Sequence, residues 1–208
     1  MIKSKAYRHG QTYYYKVDFD KLNKKSFSHK RKLRKYFYNI LKRCPDHKFS
    51  DGPRSSSLKL KFDFDLSRVK KDVSMLARMG LESNYYGNGH MNVQMFMLAY
   101  DKTTVAMEVP VWLDKQELDW YKTVFGSDKS LSGHIDIVRV EGDKVWIWDY
   151  KPNAHREKFA DTQTYLYALM LSRRTKIPLK HFRCGYFDDK NVFVFNPVTK
   201  TAKPLIKN

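Results

Sequence analysis

The chain has 208 residues, 42% of them hydrophobic and 15% aromatic, and a formal net charge of +18. That is too apolar for a disordered polymer, and long enough for one domain with a real core. No apolar run approaches the roughly 20 residues of a spanning helix, which excludes a helical membrane protein.

The charge is unevenly placed. Residues 1–61 carry 18 Lys and Arg against four Asp, whereas the remainder carries 22 basic against 18 acidic side chains. The excess in the N-terminal third points to a polyanionic partner such as DNA or RNA, with anionic lipid as the rival. The opening stretch MIKSKAYRHGQTYYYK has no apolar signal-peptide region, so the chain is expected in the cytoplasm, that of a host cell if a virus or plasmid encodes it. Its two cysteines, Cys44 and Cys184, fit a reducing compartment, are expected to be structural, and exclude a four-cysteine cluster.

In chain order, SHKRKLRKYFYNILKR places Leu33, Phe37, Ile40 and Leu41 at helical spacing after Ser28 as N-cap. Its basic face holds Lys30, Arg31, Arg34 and Lys35. The mixture of Tyr, Phe, Lys and Arg in QTYYYK and RKYFYNI suits stacking on single strands or frayed ends, although Phe37 and one of the tyrosines are equally suited to a core. A loop follows over Pro45 to Ser57. Then DFDLSRVKKDVSMLARMG sets Leu66, Val69, Val73, Leu76 and Met79 on one helical face, with Gly80 as C-cap. A third helix is predicted over Gly89 to Tyr100.

Strand signals take over at TTVAMEVPVWL, where Pro110 suggests an edge or a bulge. LSGHIDIVRV and KVWIWDYK follow, joined by EGD as a tight hairpin. HREKFADTQTYLYALMLSRRT places Phe159, Leu166, Leu169 and Met170 on a helical stripe ended by Pro178, and HFRCGYF and NVFVF read as two short strands. Period-two alternation sends Asp149 and Lys151 to one face of their strand and Tyr150 to the other. An aspartate directly after VWIW needs either solvent or a partner, and so does Asp136 inside HIDIV.

Together VAMEVP, LSGHIDIV, VWIWDYKP and QTYLYAL resemble the PD-(D/E)XK nuclease superfamily, specifically its RecB-like branch. There, a histidine on a helix precedes an acid on the first strand, GxxD on the second, DxK on the third and QxxxY on the next helix. Here those are His90, Glu108, Gly133 to Asp136, Asp149 to Lys151, and Gln163 to Tyr167. The resemblance implies an α/β, restriction-endonuclease-like core, a central mixed sheet flanked by helices in αβββαβ order. It covers roughly residues 84–190 and implies a nuclease core over residues 84–195; it says little about the N-terminal third, where charge and helical spacing make 1–83 a basic, partly helical, DNA-contacting extension, and 196–208 reads as a basic tail.

The implied activity is metal-dependent DNA hydrolysis in replication, recombination or repair. Asp136, Asp149, Lys151 and Glu108 are the catalytic set; His90, Asp136, Asp149 and the Tyr150 backbone carbonyl hold Mg²⁺ or Mn²⁺; Gln163 and Tyr167 support. Lys30, Arg31, Arg34 and Lys35 are expected to contact DNA, whether single-stranded, branched or at duplex ends. His134 aligns with Asp136 but is not counted as a ligand. A non-cleaving binder on the same fold, or a homodimeric resolvase-like endonuclease, is the alternative. No P-loop is present, so any unwinding would come from a helicase or recombination partner.

Overall fold

A computed structural model describes residues 1–198. The chain opens with a hairpin, β1 (Ile2–His9) and β2 (Gln11–Asp18), turning at Gly10 with φ +83°. The N-terminal extension, expected to be partly helical, begins with two strands that the sequence reading does not contain. The signal was period-two burial: Tyr7 and His9 on β1, and Tyr15 and Val17 on β2, are buried while Arg8 and Tyr14 face outward. Interspersed lysines masked it.

Asp18 then caps a short helix, α1 (Phe19–Asn23), by accepting from the Asp20 and Lys21 N–H groups. The basic helix α2 (Lys30–Lys42) buries Leu33, Tyr36, Phe37 and Ile40; its N-cap is His29 rather than Ser28. After a loop-rich stretch and the two-residue strand β3 (Ser67–Arg68) comes α3 (Asp72–Ser83). It starts later than the apolar spacing suggests, leaving Leu66 exposed. Gly80 lies inside it, because a Cβ there would come within 2.8 Å of Val93 Cα on the crossing helix α4 (Gly89–Tyr100). The left-handed C-cap is Asn84 at φ 44°.

The remaining strands and α6 follow the predicted order, with one short helix, α5, that the sequence reading does not contain: β4 (Thr104–Leu113), α5 (Tyr121–Phe125), β5 (Leu131–Glu141), β6 (Lys144–Tyr150), α6 (Ala160–Thr175), β7 (Phe182–Phe187) and β8 (Val192–Phe195). They build one mixed sheet of eight strands in the order β1-β2-β4-β5-β6-β7-β8-β3. Among the strands of the described residues only β6 and β7 run parallel, joined by the crossover helix α6. β5 and β6 form the expected hairpin, with Gly142 at φ 55° in its turn.

Pro110 sits in an interior strand, yet the β2 pairing reaches only Met107, so its missing N–H breaks no ladder bond there. Its carbonyl accepts from Tyr36 Oη at 2.5 Å. The β2–β4 pairing also puts the N-terminal hairpin and the core in one sheet.

Helices α2 and α6 cover one face and α3 and α4 the other, the latter over Ile137, Trp148, Tyr150 and Phe187. Buried Arg139 on β5 pairs with Asp72 of α3 at 2.6 Å and with Asp101, the C-cap of α4, at 2.9 Å, tying both helices to the sheet. Cys44 and Cys184 are free and buried, as a structural reading expects. Among the described residues no helix is long and apolar enough to cross a membrane. Residues 199–208, most of the basic tail, lie outside the described residues.

Candidate active site

Five elements, α4, β4, β5, β6 and α6, converge on a cleft of ≈ 390 Å³, whose lining includes His90, Gln94, Glu108, Asp136, Asp149, Lys151, Gln163 and Tyr167. Each arrives for a local reason. At the end of β6, alternation turns Asp149 and Lys151 to the α6 side, where Asp149 Oδ2 lies 2.8 Å from Lys151 Nζ. Asp149 Oδ1 accepts from Gln163 Nε2 at 3.1 Å, and the same nitrogen donates to Tyr167 Oη at 3.0 Å, one helical turn further on.

On β5, Asp136 Oδ2 accepts from the Tyr150 N–H at 3.0 Å, stapling the two central strands at the cleft floor. Gly133, the first residue of GxxD, is required by close approach: a Cβ there would meet the Tyr167 ring at 2.4 Å. His90 enters from the start of α4, where Asn88 caps the helix by accepting from the His90 N–H at 2.9 Å. Its Nε2 lies 3.1 Å from Asp136 Oδ2. Glu108 enters from β4 at φ 50°, a strained conformation for a residue with a side chain, and accepts from Gln94 Nε2 at 2.6 Å.

The electrostatics are those of crowded negative charge. Burial, and then the charge of Asp136, push both Glu108 and Asp149 up to about 7. Burial would raise Asp136 as well, but His90, Lys151 and the Tyr150 N–H outweigh it and hold that carboxyl below its ordinary range. In return, Asp136 raises His90 to about 9. Burial works against the Lys151 charge, yet Asp149 and Asp136 prevail and hold the ammonium protonated more firmly than usual.

This donor set fits a hard divalent cation. His90, Glu108 and Asp136 present ligand atoms within 4.8 Å of one another. The buried Asp149 Oδ2 makes no hydrogen bond despite its ion pair with Lys151, and buried Gln94 Oε1 has no partner at all. Carboxyls raised by burial and then by repulsion, beside an unpartnered amide oxygen, are what a cation would relieve.

A family model for the PD-(D/E)XK nuclease superfamily matches residues 90–201, more than half of the chain. The chain belongs to the PD-(D/E)XK nuclease superfamily. No curated protein and no solved structure matches it. In this superfamily, phosphodiester hydrolysis uses divalent metal ions, and the match begins at the cleft histidine, His90.

The cleft thus brings together His90, Glu108, Asp136, Asp149, Lys151, Gln163 and Tyr167. Tyr150 sits at its floor with its ring turned away, edge-on to His90 at 5.6 Å. Lys30, Arg31, Arg34 and Lys35 are not among its lining residues: Lys30 Nζ donates to the Asn23 and Lys25 carbonyls, and the Arg34 guanidinium covers the Phe19 ring at 5.6 Å.

Sequence reasoning missed Gln94, although a glutamine one turn after His90 in a helix rich in apolar residues was a readable signal. It also missed Tyr13 and Arg54, which line the cleft from the N-terminal third. A wider hollow of ≈ 1020 Å³, bordered by Asp63, Asp65, Trp146 and Arg183, shares no lining residue with the nuclease cleft.

Proposed function

We propose that this PD-(D/E)XK protein is a DNA nuclease of the RecB-like branch, using Mg²⁺ or Mn²⁺. It would act in replication, recombination or repair, on single strands, duplex ends or branches, alongside a helicase or recombination partner. Residues 84–195 supply the chemistry and residues 1–83 the grip. The observation that carries the reading is the 2.8 Å Asp149–Lys151 pair in one cleft with Asp136, Glu108 and His90.

Asp136, Asp149, Glu108 and His90 would hold the cation, with the Tyr150 carbonyl as a further ligand in the family's pattern. Once bound, the cation supplies charge for the phosphate oxygens and acidity for the attacking water. The protein's own groups do the rest. Gln163 fixes one oxygen of Asp149 and leaves the other facing Lys151. Lys151, held protonated by its neighbours, orients water and stabilises the developing oxyanion by charge rather than by accepting a proton. Gln94 holds Glu108 and His90 holds Asp136, fixing the two carboxylates whose charges would otherwise drive them apart.

The test is cleavage of labelled single-stranded, linear duplex and closed circular DNA with Mg²⁺, Mn²⁺ or EDTA, using the natural protein, Asp149→Ala and Lys151→Ala. Metal-dependent products lost in both variants are expected, and cutting of the circle would make the enzyme an endonuclease. Intact DNA in every reaction would overturn the reading.

A further inference from the structure

The cleft has a second wall that shares nothing with the carboxylates. The tip of the β1–β2 hairpin lines it with Tyr13, and Arg54 joins from the loop after α2. Arg54 Nη2 donates to Tyr13 Oη at 2.7 Å, and its guanidinium lies 5.5 Å from the centre of the Tyr13 ring. Among the described residues it pairs with no carboxylate, whereas Lys151 and His90 are both engaged by the aspartates.

The mount beneath it is rigid. Tyr13 stacks on His134 with ring centres 3.6 Å apart and planes 7° from parallel. His134 Nε2 lies 2.9 Å from His9 Nδ1, and His9 Nε2 lies 3.0 Å from Asp46 Oδ1. The His9 ring stacks on Phe49 at 4.1 Å, and the backbone of Arg54 bridges to Ser132 on β5. A planar, uncompensated guanidinium is thereby held beside β5, the strand that carries Asp136.

We infer that Arg54, mounted on Tyr13, is a positioning residue that takes the oxygens of a backbone phosphate next to the one being cut. The guanidinium fork matches phosphate geometry, and fixing it in advance lowers the ordering cost of binding. The inference rests on the nuclease reading for its substrate, and it places a substrate contact outside the stretch that matches the superfamily.

The experiment measures binding of a labelled single-stranded oligodeoxynucleotide in EDTA at several salt concentrations, then cleavage with Mn²⁺, for the natural protein, Arg54→Gln, Arg54→Lys and Tyr13→Phe. Arg54→Gln is expected to weaken binding about ten- to hundredfold, as loss of a charged hydrogen bond does, and to lower the slope of log K against log salt by about one. KM rises while kcat and Mn²⁺ affinity stay unchanged.

Arg54→Lys keeps the salt slope but not the full affinity, since charge remains without the fork, and Tyr13→Phe loses least. If Arg54→Gln fails to fold, Arg54→Lys carries the test: weakened binding supports the inference and unchanged binding overturns it. Unchanged affinity and slope in Arg54→Gln overturn it too, as does a fall in kcat at constant KM, or no binding by the natural protein. Binding without cleavage by the natural protein would sink the nuclease reading while leaving the Arg54 comparison intact.

Discussion

The wall of the cleft built by α4, β4, β5, β6 and α6 is largely buried and crowded with carboxylates, whereas the wall built by the hairpin tip and Arg54 is aromatic, cationic and only partly covered. The first wall repels a phosphodiester and is at odds with itself, since two of its carboxyls are pushed up to about 7. The second is held together by stacking and hydrogen bonds, and it attracts what the first repels. On the proposed reading, chemistry and grip would come from separate stretches of one chain, and a cation would offset the charge of the carboxylate wall before a polyanion approaches. The basic face of α2 does not line the cleft, so any contact it makes with nucleic acid would fall outside it.

The sharpest way to break this comparison is to disable one wall alone. Asp149→Asn should lower kcat by at least about 10²- to 10³-fold, the scale for losing a preorganised charge at a reacting centre, while affinity for single-stranded DNA in EDTA holds or improves. Because Asp149 is costly to ionise beside Asp136, the same variant should melt at a higher temperature than the natural protein when metal is absent. Calorimetric melting with and without Mn²⁺ checks this; a lower melting temperature without metal would mean that the wall is not under strain.

A milder perturbation sharpens the comparison within the carboxylate wall. Gln94→Leu removes the amide that holds Glu108 at 2.6 Å. That hydrogen bond favours the ionised carboxylate, so its loss should push Glu108 higher still and weaken Mn²⁺ binding about ten- to hundredfold. Binding of DNA in EDTA should not change. Titration of the metal-free protein with Mn²⁺ decides it, and unaltered affinity would remove Gln94 from the metal site.

The carboxylate wall was legible in the sequence because its residues lie on regular elements at fixed spacing. A strand period of two puts Asp149 and Lys151 on one face, and a helix period near four does the same for Gln163 and Tyr167, but what makes them a site is their joint occurrence in the order of the family pattern. Glu108 was legible only through its place in the family pattern, since a positive φ interrupts the simple alternation of β4 there. The second wall left almost no trace. Arg54 sits in a loop read only as Pro45 to Ser57, and Tyr13 reaches His134 across more than a hundred residues, a contact made by tertiary pairing. The hairpin was hidden for a compositional reason: Lys3, Lys5, Arg8 and Lys16, interspersed along its two strands, made them look like a solvated basic segment. Helix α3 was placed too early because Leu66 and Val69 continue its apolar spacing backwards, although its first turn begins only at Asp72.

The gentlest test is pH, and it separates the walls by sign. Without metal, Glu108 and Asp149 titrate at about 7 and His90 at about 9, all above their ordinary values, so the folded protein holds protons that a cation must displace. Apparent Mn²⁺ affinity should therefore rise with pH, by about tenfold per unit for each proton displaced, steeply below about 7 and more shallowly up to about 9, where only His90 still competes. The opposite wall contributes nothing to this trend, because burial lowers both His9 and His134 and leaves their rings neutral over most of that range. The same raised carboxyls make the metal-free protein bind more protons than its unfolded chain, so their contribution to stability falls as pH climbs from the ordinary carboxylate range through about 7. Isothermal titration in buffers of different ionisation enthalpy counts the released protons directly. That number should fall between about pH 6 and about pH 8, and Glu108→Gln should remove one proton at the lower pH. Proton release that is flat with pH would mean that the cation binds away from these carboxylates, and the comparison between the two walls would have to be redrawn.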